Sequence, residues 1–177
     1  MIKGSIVGLT GVELDDLPAL LRWRNNPELR KHFREYRELN STMQEKWFEN
    51  AVMNDNTSMM FSIRRLSDNE LLGCCGLVYI NWVHRHADLS LYIGWHDAYI
   101  DDVGYAADAC RALLRYGFKE LCLNKIWTEI YEFDDRKANL YQSFRFNQDG
   151  LLRQNYFCDG KWWDSRILSL LTSEFVE

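Results

Sequence analysis

The segment from Asp88 to Tyr105 holds the residues best placed for chemistry. It reads as a strand, a loop and a glycine that opens a long helix, with Gly104-Tyr105-Ala106 at the junction. A helix N-terminus presents unpaired N–H groups and the positive end of its dipole, and small residues let phosphate oxygens approach them. The pattern offers a pyrophosphate cradle, although a glycine ahead of a helix is by itself only a turn signal. Asp97, Asp101 and Asp102 lie in the same loop, so a divalent cation held by carboxylates is a second chemistry to weigh. Arg30, Arg34 and Arg37 form the nearest thing to a basic patch, diluted by Glu28, Glu35 and Glu38. That stretch reads either as a solvated helix face or as a rim that meets an anionic substrate.

Cysteine and histidine offer less. The five cysteines, Cys74, Cys75, Cys110, Cys122 and Cys158, are odd in number and irregular in spacing, which argues against a disulfide framework. The four histidines complete no zinc pattern with them, so no metal site is expected. The net charge of −5 and the absence of a dense Lys/Arg block argue against a nucleic-acid groove or an anionic membrane surface. The N-terminus lacks the apolar run of a signal peptide and no segment has transmembrane length, which points to the cytoplasm.

The positioning elements follow from length and periodicity. A chain of 177 residues, 47% hydrophobic and 27% charged, fits one packed domain over residues 1–177. Strands are predicted over 5–12, 59–65, 71–80, 86–94 and 125–133, with a terminal pair over 150–171 around the Asp159-Gly160 turn. The alternation of Ala87, Leu89, Leu91 and Ile93 is the clearest period of two. Helices are predicted from Asp15-Asp16-Leu17-Pro18, from the capping-box spacing at Ser41-Thr42, over 104–121 and over 134–144. The order gives a mixed α/β (α+β) sheet with helices on both faces.

Taken with their order, several of these segments resemble the GNAT superfamily of N-acetyltransferases. Ala87-Asp88-Leu89-Ser90-Leu91-Tyr92-Ile93-Gly94 resembles that family's strand before its pyrophosphate loop. Gly104-Tyr105-Ala106-Ala107-Asp108-Ala109 is similar to its loop and helix start. Asp134 to Phe146, with Leu140-Tyr141 and the closing Phe146, is similar to its second helix. Trp23-Arg24-Asn25-Asn26-Pro27, Leu123-Asn124-Lys125-Ile126-Trp127 and the closing hairpin resemble the branch that includes ribosomal-protein N-terminal acetyltransferases and sugar-amine acetyltransferases.

The resemblance implies a GNAT-type domain whose mostly antiparallel sheet splays at a cofactor cleft, with acetyl-CoA as the acyl-donor co-substrate. It implies that the pantetheine arm pairs with the strand at Leu91, Tyr92 and Ile93. It places the pyrophosphate on Val103, Gly104, Tyr105 and Ala106, with Asp134 and Lys137 nearby. Tyr141 is the implied acid for the leaving thiolate, and Asp88 the first base, ahead of His84, His86 and Glu132. Trp23, Arg24 and Tyr36 are the expected acceptor-binding residues. The implied acceptor is a primary amine, on an amino sugar nucleotide or another small molecule, with a protein N-terminus as the alternative. A monomer or homodimer is expected, and a non-catalytic acetyl-CoA sensor is the competing reading.

The chain also departs from the family pattern. Asp101 stands where the family has Arg or Gln, Asp102 and Arg145 where it has glycine, and Asp134 where it has Asn. Carboxylates beside a pyrophosphate repel it unless they point to solvent. Arg111, Arg136 and Lys137 are the candidates for compensating charge.

Overall fold

A computed structural model describes residues 1–176. Its strands form one eight-stranded sheet in the order β1-β2-β3-β4-β5-β6-β8-β7. They are β1 (Ile2–Lys3), β2 (Val7–Gly11), β3 (Met59–Arg65), β4 (Leu71–Asn81), β5 (His86–Ile93), β6 (Lys125–Tyr131), β7 (Asn147–Cys158) and β8 (Lys161–Leu171). Every neighbouring pair is antiparallel except β5 and β6. The helices are α1 (Leu17–Asn25), α2 (Pro27–Arg30), α3 (Ser41–Trp47), α4 (Tyr105–Arg115) and α5 (Asp135–Ser143). The mixed, mostly antiparallel sheet expected from the sequence is the one observed.

Alternation along the strands assigns the two faces. Cys74, Gly76 and Val78 pair across the β4–β5 ladder with Tyr92, Ser90 and Asp88, so all six share one face. Residues of α1 and α3 cover it. Cys75, Leu77, Leu89 and Leu91 point the other way, onto the apolar stripe of α4 at Ala109, Cys110, Leu113 and Leu114. Both layers belong to one continuous core. Gly94 permits the closest approach in it: a Cβ there would lie 1.9 Å from Trp23 Cδ2.

Local chemistry fixes the ends. Asn40, not Ser41 or Thr42, caps α3 by accepting from the Met43 N–H at 2.9 Å. Asp108 on α4 accepts from the N–H groups of Ser5, Ile6 and Val7, which ties the β1–β2 turn to the helix. The predicted helix over 104–121 stays α-helical only to Arg115 and finishes as a wider turn over Tyr116–Glu120. Arg145 adopts φ +64° after α5, so it takes the left-handed position that a glycine fills without strain.

Candidate active site

The sheet opens where β5 and β6 part. Their parallel pairing covers only His86↔Lys125, Ala87↔Ile126 and Asp88↔Trp127. Beyond Asp88 the strands diverge, and the Thr128 hydroxyl bridges the start of the gap by donating to the Leu89 carbonyl at 3.1 Å. The Gly94 N–H donates to the Leu72 carbonyl, so in this ladder Tyr92, Ser90 and Asp88 spend their backbone groups on β4. Leu89, Leu91 and Ile93 turn theirs toward the gap. The Ile93 N–H is taken by the Tyr99 carbonyl at 2.8 Å. Leu91 therefore keeps both backbone groups facing the gap without a strand partner. This alters the expectation for Tyr92: its backbone is committed to Cys74, and its ring lies on the α1–α3 face, 4.9 Å from the Phe33 ring.

A cleft of about 360 Å³ opens over that face and reaches the gap. Asp88 is buried in its wall at 2% exposure. Burial pushes its carboxyl upward, and the opposing charge of Arg34 only partly offsets this. Arg34 Nη1 donates to Asp88 Oδ2 at 2.6 Å, and its Nη2 lies 3.5 Å from Glu129 Oε2. The guanidinium thus sits between two carboxylates, yet its side chain stays 44% exposed. Arg24, Gln44, Trp47 and Ser58 line the cleft further along the face, and Lys137 lines it near Asp88. Burial lowers the Lys137 ammonium, against the pull of Asp134 and Asp88.

Tyr141 lies on the α4 side of the gap, 0% exposed. Burial raises its phenol well above the usual range, with Cys110 adding to the shift and Thr128 opposing it. Its hydroxyl forms no well-aligned hydrogen bond among the described residues, although Thr128 lies close enough to offer one. A buried, unpaired hydroxyl costs about 1–3 kcal/mol, so a group that completes it is the simplest reason for it to persist.

The loop ahead of α4 already cradles an anion. Asp101 accepts from the N–H groups of Gly104 at 2.6 Å, Tyr105 at 2.8 Å and Ala106 at 2.7 Å. Its carboxylate sits at the positive end of the helix dipole, where negative charge is favoured. Gly104 makes the turn possible with φ +106°. The sequence-based concern about repulsion therefore takes a definite form: Asp101 points into the cradle, and Asp102 lies exposed beside it. The donor set fits a pyrophosphate, and the unpaired Tyr141 hydroxyl fits a thiol at the far end of the same ligand.

Other sequence candidates fall elsewhere. Asp134 caps α5 through the Lys137 N–H and accepts from the Tyr99 hydroxyl, so both its oxygens are engaged in the fold. Arg136 donates to the carbonyls of Ala98 and Ile100, Arg111 packs over the Phe144 ring, and neither is bonded at the cradle. Val103 is exposed at the loop tip. Trp23 is core beneath Gly94, and Tyr36 is 79% exposed outside the cleft, which leaves Arg24 as the expected acceptor residue that lines it. His84 and His86 face each other on the β4–β5 hairpin, and Glu132 is exposed beyond β6. No cluster of metal-binding side chains forms among the described residues, Asp97, Asp101 and Asp102 included. Glu129, Thr128, Gln44 and Ser58 were not singled out as site residues from the sequence, and Arg34 was named only as part of a basic patch. The period of two in Lys125–Tyr131 could have flagged Glu129, but nothing in the sequence brings Arg34 to Asp88.

Comparison with known proteins agrees with this fold. A family model described as an acetyltransferase (GNAT) domain matches residues 7–147. The uncharacterized N-acetyltransferase p20 of Bacillus licheniformis is 26% identical over 173 residues, 95% of this chain and 94% of that protein. The spermidine N(1)-acetyltransferase of Vibrio cholerae is 25% identical over 169 residues, again 95% and 94%. The crystal structure of spermidine N-acetyltransferase from Vibrio cholerae in complex with CoA and spermine superposes with a TM-score of 0.87 at 23% identity, covering 97% of this chain and 98% of that one. A dodecameric structure of that enzyme in an intermediate state gives a TM-score of 0.80 at 24% identity, covering 95% of each chain.

Proposed function

The chain belongs to the GNAT acetyltransferase family and is an acetyl-CoA-dependent N-acetyltransferase; from that premise we propose that its acceptor is the primary amine of a small molecule held between α1, α3 and the β4–β5 face. The observation that carries this reading is the placement of Asp88 and Tyr141 on the two sides of the gap where β5 and β6 part. One is a buried carboxylate with a raised affinity for protons, the other a buried phenol with an unpaired hydroxyl. An amine acyl transfer needs both a proton acceptor and a proton donor at these two places.

The assigned steps follow from the residues. An ammonium enters the cleft as a cation and takes the place of the Arg34 guanidinium between Asp88 and Glu129. Asp88 accepts one proton, which leaves a nucleophilic lone pair on nitrogen. Acetyl-CoA supplies an electrophilic thioester carbonyl, whose oxygen receives the Leu91 N–H as charge develops on it. The C–N bond forms, the C–S bond breaks, Tyr141 gives its proton to the departing sulfur, and the surplus proton left on the acylated nitrogen passes to the Tyr141 phenolate, which restores the phenol. The backbone groups of Leu91 and the N–H cradle of Gly104, Tyr105 and Ala106 hold the donor, with Asp101 swinging aside.

A cleft of about 360 Å³ suits a small molecule. Spermidine, the substrate named for the Vibrio cholerae relative, and an amino sugar nucleotide both fall in the proposed class. The dodecamer is a property of that relative; for this chain, sedimentation velocity distinguishes a monomer or homodimer from a larger assembly. The functional test is release of free thiol from acetyl-CoA with a panel of primary amines and an N-terminal peptide, with product mass measured. Acetylation of at least one small amine supports the reading, and turnover of the peptide alone overturns it.

A further inference from the structure

The two ends of the cleft differ in what they leave unsatisfied. At the Asp88 end, Arg34 lies between Asp88 and Glu129. At the other end, α1 and α3 bring Arg24 and Gln44 over the sheet face that carries Cys74 and Tyr92. Arg24 Nη1 donates to Gln44 Oε1 at 3.1 Å. A guanidinium only donates, so the amide oxygen must face Arg24 and Nε2 must face away from it. Gln44 is 1% exposed, and its Nε2 has no partner among the described residues. Ser58, 7% exposed, lines the same cleft, and its Oγ has none either. Arg24 packs over the Trp47 ring and enters no ion pair among the described residues.

The acidic groups of the cleft are in the opposite condition. Arg37 holds Glu35 through both oxygens, drawing its carboxyl down to about 2. Asp55 accepts from the Thr57 N–H and hydroxyl, and Asp88 is paired with Arg34. What remains unpaired at the Arg24 end of the cleft is the Gln44 Nε2 donor beside a guanidinium, together with the Ser58 hydroxyl, which can donate or accept; the unpaired His32 Nδ1 also lines the cleft. A protonated polyamine carries donors throughout and no acceptor, so it completes neither the Gln44 Nε2 donor nor the Arg24 guanidinium.

We infer that the acceptor carries, remote from its amine, a carboxylate or phosphate that Arg24 and Gln44 Nε2 hold, with Ser58 Oγ as a further donor. The inference deepens the small-amine reading above and rests on it. Tyr92, close enough to Arg24 to feel its charge, stands four residues from Asp88, roughly 13 Å along an extended strand. A chain of several atoms therefore separates amine from anion.

The test compares matched pairs of primary amines: ω-amino carboxylates of increasing length against alkylamines of the same length, glucosamine 6-phosphate against glucosamine, and spermidine. The anion-bearing partner is expected to show a kcat/KM on the order of 100-fold higher, as in sites whose buried donors are left unpaired by the wrong ligand. The pair that responds tells carboxylate from phosphate. Arg24→Gln keeps the packing on Trp47 and is expected to erase the ratio by raising KM for the anion-bearing partner. Gln44→Glu, which neutralises Arg24 and turns a negative oxygen to the ligand, is expected to do the same. Spermidine or plain alkylamines turning over as fast as their anion-bearing matches would overturn the inference, as would a ratio that survives both substitutions. If no amine releases thiol, the small-amine reading fails, and calorimetric binding of the same pairs decides the subsite separately. Anion-dependent binding lost in Arg24→Gln upholds it, and no anion-dependent binding by the native protein refutes it.

Discussion

On the proposed reading Asp101 competes with the cofactor pyrophosphate for the N–H groups of Gly104, Tyr105 and Ala106, so removing it should tighten the binding of acetyl-CoA while loosening the free protein. In the free chain its carboxylate accepts from three N–H groups, at 2.6, 2.8 and 2.7 Å, at the start of α4. Carboxylate caps of this kind contribute about 0.5–2 kcal/mol to stability. The same free energy opposes a pyrophosphate that needs those N–H groups, because the carboxylate must leave first. At about 1.4 kcal/mol per factor of ten, a competitor worth about 1–2 kcal/mol weakens binding by roughly 5- to 30-fold. Asp101→Ala should therefore lower the midpoint of thermal unfolding without ligand by a few degrees, at about 2–4 °C per kcal/mol for a chain of this size. It should tighten the acetyl-CoA Kd by roughly 5- to 30-fold, read by calorimetry. The two effects have opposite signs, so general damage cannot imitate them. An unchanged or weaker Kd would refute the competition.

Other substitutions test other parts of the site. Tyr141→Phe should cut kcat by about 10²- to 10⁴-fold with little change in acetyl-CoA affinity. It should also raise stability by up to about 1–3 kcal/mol in chemical denaturation, because it deletes a buried hydroxyl that forms no well-aligned hydrogen bond among the described residues. Burial raises the Asp88 carboxyl and Arg34 restrains that rise, so Arg34→Ala should raise it further. A base is inactive while protonated, so the acid limb of kcat/KM in this variant should move to higher pH, and a limb that stays or moves down would contradict the assignment. Gly94→Ala drives a methyl group into Trp23 and should destabilise the fold by at least about 1–3 kcal/mol in the same denaturation assay.

Much of this architecture was legible because it depends on local periodicity. Ala87, Leu89, Leu91 and Ile93 announce a strand with one buried face, and Asp159-Gly160 announces its hairpin. Gly104 followed by helical spacing at Ala107, Cys110, Leu114 and Phe118 announces the loop and the helix behind it, although Ala109 and Leu113 lie on the buried face where Ala107 does not. Element ends were less legible, because they turn on single side chains: Asn40 rather than Ser41 caps α3, and Arg145 bears a positive φ without a glycine. Tyr92 was misjudged because adjacent residues of one strand send their backbone groups to opposite neighbours, and only the register with β4 says which. Arg34 was named only in a basic patch and Glu129 not at all, because the pairing of Arg34 with Asp88 and with Glu129 joins residues far apart in the chain. Asp101 was recognised as a departure, but whether it faced solvent or the cradle depended on the loop's backbone.

Asp88→Asn, assayed for thiol release at saturating acetyl-CoA with the best acceptor amine, tests the central claim most directly. The change keeps the size of the side chain and removes its capacity to take a proton. A loss of at least about 100-fold in kcat is expected, with acetyl-CoA affinity retained within a few fold. Full turnover by Asp88→Asn would contradict the account, because the proton of the amine would then leave by a route that does not involve the cleft's buried carboxylate.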